Sequence, residues 1–182
     1  FAWLDLKSGI GEEYWRCMEI AGEYSAVNHK CIHYNVAKAL RLKPLMNVSN
    51  HHNFAWKETL PDGRKVIIHR KGATPAHLGE FGIIPGSMAT PGYVVSGKGC
   101  RESLFSASHG AGRRMSRLEA KNSFSHYAMK KFLAEHNVTL LGGTTEEAPQ
   151  AYKDIYQVME SQKELVNIEG KIIPRIVRMN EE

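Results

Sequence analysis

The chain lacks the features that mark secreted, membrane-spanning and zinc-knuckle proteins. It has only three cysteines, Cys17, Cys31 and Cys100, widely spaced and never in a Cys-x-x-Cys pair. An odd, scattered set gives no disulfide framework and no zinc knuckle. It suits a reducing compartment, and the cytoplasm is the expected location. No apolar run approaches the roughly 20 residues that a membrane helix requires. A membrane partner is therefore not expected. The chain opens on Phe1 and lacks the basic-then-apolar layout of a secretory signal, which reads as a chain cut or processed upstream. No internal repeat and no low-complexity tract is present.

What remains is ordinary globular material with a basic bias. An apolar fraction of 42% and a charged fraction of 24% provide enough side chains for a core and argue against wholesale disorder. A net charge of +5 and a pI near 9.1 favour polyanionic partners through phosphate contacts and counterion release. The nine histidines are more informative, because several lie in polar, glycine-rich segments.

Residues Glu12 to Leu40 contain no proline, and Trp15, Met18, Ala21, Ala26, Cys31 and Ile32 approximate a helical stripe. One long helix or two short ones are expected. Phe54–Leu60, the turn Pro61-Asp62-Gly63 and Lys65–His69 read as a β-hairpin. Residues 70–112 are rich in glycine and small residues, with short strands expected at Gly82–Ile84, Tyr93–Ser96 and Ser103–Ser106. A helix is expected from about Arg114 to Glu135 and another over Ala148–Glu164. Gly142-Gly143 separates them, and Val166–Met179 reads as a closing hairpin turned at Glu169-Gly170. The pattern is α+β around one core, not a βαβα series.

Four polar stretches are candidates for chemistry. The strongest runs from Ser106 to Arg117 and contains His109-Gly110-Ala111-Gly112-Arg113. Glycines let main-chain N–H groups approach an anion. A helix beginning near Arg113 would add its positive end and put Arg113 and Arg117 on one face, where two guanidiniums grip phosphate. A neutral imidazole held there can attack phosphorus. The bland alternative is a glycine-rich turn with a solvated histidine. His51-His52-Asn53 lies at a strand end, where only one histidine can face a given site. It is a metal ligand beside a phosphate donor, Asn53, or else a surface pair. Arg70 and Lys71 are phosphate contacts or a solvated basic edge. Pro85-Gly86-Ser87-Met88 is a nucleotide-holding turn or an ordinary one. Tyr152 is a core aromatic or a base-stacking one.

Taken in order, these stretches resemble the RtcB family of RNA ligases. The resemblance rests on His51-His52-Asn53-Phe54-Ala55, His69-Arg70-Lys71-Gly72-Ala73-Thr74, Ile84-Pro85-Gly86-Ser87-Met88 and Tyr93-Val94-Val95. It continues through Ser106–Arg117 and through Glu146-Glu147-Ala148-Pro149 into Ala151-Tyr152-Lys153-Asp154. The His-Gly-Ala-Gly-Arg-x-Met-Ser-Arg run is its most specific part. The resemblance implies an RtcB-like α+β fold with mixed and antiparallel sheets and flanking helices, incomplete on its N-terminal side. Residues 1–182 would form the C-terminal part of a single catalytic domain. It implies GTP- and Mn²⁺-dependent joining of 2′,3′-cyclic phosphate or 3′-phosphate RNA ends to 5′-hydroxyl ends through a histidine–GMP intermediate. His109 is then the guanylylated nucleophile, with Lys71, Arg113 and Arg117 as catalytic cations. His52 is a ligand of the family's two-metal manganese site and, with Asn53, lies against the nucleotide. Pro85, Gly86, Ser87, Met88, Gly92, Gly110, Ala111, Gly112 and Tyr152 line the guanylate. Gly92 stands where the family pattern leads one to expect serine. The family's other metal ligands, an Asp-x-Gly-Cys-type segment and two further histidine segments, have no counterpart here. The fragment alone is thus expected to be inactive in guanylylation. A non-catalytic nucleotide- or RNA-binding relative is the alternative.

Overall fold

A computed structural model of the protein describes residues 3–51 and 53–179. The expectation of a single core meets two compact units, residues 1–69 and 70–182.

In the first unit, α1 (Gly9–Ala39) is one unbroken helix of 31 residues. It begins three residues earlier than the apolar stripe suggested, because Ser8 caps it by accepting the Gly11 N–H at 3.1 Å. Its packed side is the line Trp15, Met18, Gly22 and Ala26, whereas Ala21, Cys31 and Ile32 of the expected stripe are exposed. Gly22 is required on that side: a Cβ would come within 2.5 Å of the Phe54 ring. The hairpin forms as read, from β1 (Asn53–Thr59) and β2 (Lys65–Lys71). Gly63 takes the positive φ of its turn, and the Leu60 N–H donates to the Arg64 carbonyl at 2.9 Å.

The second unit is built on short strands. β3 (Ala73–Pro75) pairs antiparallel with β6 (Ser106–Ser108). β4 (Phe81–Ile84), β5 (Gly92–Gly97) and β8 (Val166–Ile172) form an antiparallel sheet in the order β4-β5-β8. Ile84, Tyr93, Val95 and Val166 from this sheet bury against Ile155 and Met159. A second cluster joins Met88 and Ala148 to Met129, Leu133 and Val138.

Four expected elements differ from those observed. The strand at Ser103–Ser106 begins only at Ser106, because Leu104 and Phe105 both adopt positive φ in a tight turn. The helix expected over 114–135 is two helices, α2 (Arg117–Ser123) and α3 (His126–Glu135). Phe124 is extended at the break, and Ser116 and Ser125 each cap the helix that follows; Ser116 with Glu119 forms a capping box. The helix expected over 148–164 is confined to α4 (Ile155–Ser161), capped by Asp154, after two single-turn 3-10 segments at Thr145–Glu147 and Pro149–Ala151. The closing hairpin does not form. Glu169-Gly170 is a bulge within β8, which pairs Val94 with Gly170 and Val95 with Ile168. The last strand, β9 (Ile176–Arg178), instead runs parallel to β7 (Thr139–Gly142). The mixed α+β class stands.

Candidate nucleotide-transfer site

The β3–β6 ladder organises the site. Its register pairs Ala73 with Ser108, and one step further the His109 N–H donates to the Gly72 carbonyl at 3.1 Å. Lys71-Gly72 therefore leaves one strand where His109-Gly110 leaves the other. Lys71 is exposed, and Gly72 turns the chain with a φ of 69°. His109 itself is half-buried, with its Nδ1 shielded from solvent. Ser108 is fixed on both sides. Its N–H donates to the Oε1 of buried Gln162 at 2.9 Å, and its hydroxyl donates to the Gly110 carbonyl at 2.5 Å.

The next residues lie on the 85–88 turn. The Ala111 N–H donates to the Pro85 carbonyl at 3.0 Å, and a Cβ on Gly110 would stand 3.2 Å from that same oxygen. Gly110 is thus a close-approach glycine. The turn is knit internally: the Ser87 N–H donates to Thr90 Oγ1 at 2.7 Å, and the two hydroxyls are 2.9 Å apart. The Ser87 N–H is engaged within the turn, and the Met88 side chain is buried in the second core cluster. Gly92 adjoins the turn, where an added Cβ would make an ordinary contact of 3.6 Å with Pro85 Cα. A serine would fit there.

Arg113 and Tyr152 meet across a β-bridge. The bonds flanking it, Arg114 N–H to the Ala151 carbonyl and Lys153 N–H to the Gly112 carbonyl, are each 2.9 Å. A pair flanked in this way brings its two side chains together on one face. Arg113 Nη1 accordingly reaches the Tyr152 hydroxyl at 3.3 Å, with its guanidinium over the ring at 5.1 Å. Its Nη2 donates to the Glu146 carbonyl at 2.5 Å and its Nε to the Met115 carbonyl at 3.2 Å. Glu147 completes the network: the Tyr152 hydroxyl donates to its Oε2, Arg113 Nη1 lies 3.6 Å from Oε2, and Arg117 Nε lies 3.6 Å from Oε1. Burial, the Glu147 hydrogen bond and the Glu147 charge push the Tyr152 hydroxyl up to about 12, against the smaller opposing pull of Arg113.

The two arginines do converge, though not on one helical face. Arg113 precedes α2, and Arg117 is its first residue. Their meeting point is Glu147, which sequence reasoning met only as part of a motif. Arg70 also differs from both readings given to it. It is 1% exposed, donating through Nε to Ser106 Oγ at 2.8 Å and through Nη2 to the Leu104 carbonyl at 3.0 Å. It supports the turn before β6 and leaves Lys71 as the solvent-facing cation of the pair.

Asn53 opens β1 in the first unit, next to the stacked rings of His51 and Phe54, 4.7 Å apart. His52, the residue matched to a manganese ligand, lies outside the described residues. Among the described residues no three His, Cys, Asp or Glu side chains are placed to hold a metal. They do not by themselves fit a manganese centre. The described cysteines are free, and no described helix is long and apolar enough to cross a membrane.

The sequence profile of the family described as tRNA-splicing ligase RtcB matches residues 1–180. The chain belongs to the RtcB family. An RNA-splicing ligase RtcB1 of Escherichia coli is 35% identical over 86% of this chain and 41% of its own length. An RNA-splicing ligase RtcB of Mycobacterium bovis is 34% identical over 95% of this chain and 46% of its own. A tRNA-splicing ligase RtcB of Nanoarchaeum equitans is 34% identical over 85% of this chain and 39% of its own. The chain thus spans less than half the length of these RtcB relatives.

Proposed function

We propose that this RtcB chain carries the nucleotide-transferring histidine of a cytoplasmic, GTP-dependent RNA ligase. It would join 3′-phosphate or 2′,3′-cyclic phosphate ends to 5′-hydroxyl ends. The observation that supports this reading most is the junction of β3 and β6. It sets His109 beside Lys71-Gly72 while the loop after His109 rests on the Pro85 turn. In this reading a nitrogen of His109 attacks the α-phosphorus of GTP. With Nδ1 shielded, that nitrogen is Nε2. A P–N bond forms, the α–β P–O bond breaks, and pyrophosphate leaves. The RNA 3′-phosphate, released by water adding to the ring where the end is a 2′,3′-cyclic phosphate, then displaces the histidine to take up GMP. The 5′-hydroxyl in turn displaces GMP and loses its proton, forming the phosphodiester.

Lys71 is the exposed cation nearest the histidine along the ladder. Three of the five Arg113 donors are already engaged, which suits a group that fixes the loop and has two N–H bonds left for phosphate. Arg117, exposed and held only at 3.6 Å by Glu147, is free to swing to an incoming anion. Mn²⁺ enters through the resemblance alone, and no step above depends on it. The test is to incubate the protein expressed from its gene with α-labelled GTP and Mn²⁺. An acid-labile, alkali-stable GMP adduct is expected on the wild type and absent from His109→Ala. No adduct on the wild type, or an adduct surviving His109→Ala, refutes the proposal.

A further inference from the structure

The bridge that turns Arg113 and Tyr152 toward Glu147 has a second face. Arg114 and Lys153, the next residue along each side of the bridge, lie outside that network. Both line an open groove of about 720 Å³ along α4. The groove begins at Ser108, next to the candidate nucleophile, and is completed by Gln157, Ser161 and Gln162. Its floor is fixed, since Gln162 is buried and binds the Ser108 N–H at 2.9 Å. Its one lining carboxylate, Asp154, is engaged in capping α4 through the Tyr156 N–H at 2.9 Å. The two lining cations have main-chain positions set by the paired 2.9 Å bonds of the bridge. A fixed, open trough that sets two cations and a row of amide and hydroxyl groups beside the apolar Val158 and Leu165 suits a sugar-phosphate backbone, whose phosphates meet the cations while its sugars lie on the apolar part.

We propose that this groove binds the sugar-phosphate backbone of the RNA strand adjoining its reactive end, with Arg114 and Lys153 as the phosphate contacts. The assignment of an RNA end to this groove rests on the ligase reading of His109. Consecutive arginines thereby divide the work: Arg113 holds the site together, and Arg114 holds the substrate strand.

The experiment follows a fluorescein-labelled single-stranded RNA ending in a 3′-phosphate by anisotropy over a salt series. Wild type is compared with Arg114→Gln/Lys153→Gln, and the same proteins are assayed for the GMP adduct. Circular dichroism checks that the variant keeps its fold; Arg114→Lys is the conservative companion. Removing two phosphate contacts is expected to weaken binding roughly tenfold near 0.1 M salt and to flatten the log–log salt slope by about 1.4. The adduct should persist, and Arg114→Lys should keep most of the affinity. RNA affinity lost in the double variant, with no adduct even on the wild type, sinks the ligase reading but leaves the groove as an RNA site. An unchanged affinity and slope in the double variant, or no RNA binding by the wild type, overturns the groove whatever the adduct assay shows.

Discussion

Glu147→Gln tests whether the clamp on Arg113 is structural. Glu147 and Arg113 side chains are only 20% and 23% exposed, so their interaction is screened far less than a surface pair. Arg117 is 71% exposed, and its share of the clamp should be negligible. The amide keeps the shape and one acceptor for the Tyr152 hydroxyl but removes the charge facing Arg113. Cutting one partner from a fully buried pair costs about 3–5 kcal/mol. Here Arg113 keeps the Glu146 and Met115 carbonyls, so about 2 kcal/mol is the expected loss. For a chain of this size that lowers Tm by about 4–8 °C. Tyr152 provides a second readout. Its folded value of about 12 lies above the ordinary tyrosine value of 10.0, so the folded state holds a proton that the unfolded state sheds in between. The stability this contributes is full below pH 10 and is lost as pH rises toward 12. Urea titrations at pH 8 and about pH 11 should therefore show a larger alkaline loss in wild type than in Tyr152→Phe, with Glu147→Gln between them. A Glu147→Gln protein melting within about 1 °C of wild type, with an unaltered alkaline loss, would refute the clamp.

Two further substitutions test the neighbouring supports. In Gly86→Ala the new Cβ would lie 2.4 Å from the Pro91 carbonyl oxygen and 2.6 Å from Thr90 Oγ1. The turn must shift, at about 1–3 kcal/mol in thermal or urea unfolding, and the GMP adduct yield should fall with it. Arg70→Ala strips the Leu104 carbonyl and Ser106 hydroxyl of a buried donor and should cost about 2–4 kcal/mol. Lys71→Ala, on an exposed cation, should leave Tm unchanged while lowering adduct formation; equal thermal losses in the two variants would contradict the buried and exposed roles assigned to them.

What the sequence disclosed depended on whether a signal was local. The Asp62-Gly63 turn set the first hairpin, because a two-strand turn is encoded by the residues within it. Ser116 and Ser125 were equally local, and counting them as caps would have divided the long helix expected after Arg114. The parallel β7–β9 pairing was not readable, since nothing near Glu169-Gly170 distinguishes a bulge from a turn until β5 is present to pair with it. The same division holds at the candidate site. His109 and its glycines stood out because their neighbours offer an imidazole nothing to pack against. Whether a basic residue is buried or solvated, however, is decided by strands far away in sequence.

Arg70 and Lys71 make this plain, as adjacent cations with opposite fates. Strand alternation sends one inward, where the carbonyl of Leu104 and the Ser106 hydroxyl wait for it, and leaves the other in solvent. Arg113 and Arg114 repeat the pattern at the bridge with Tyr152. In both pairs the sequence shows two charges and the fold assigns one to structure and one to solvent. In each pair one member is tied into the fold before any anion arrives, although Arg113 keeps two of its five N–H bonds. Which member is tied follows from the residue across the ladder: where the partner is Tyr152, already bonded to a carboxylate, the arginine facing it is held, and its neighbour is left to solvent.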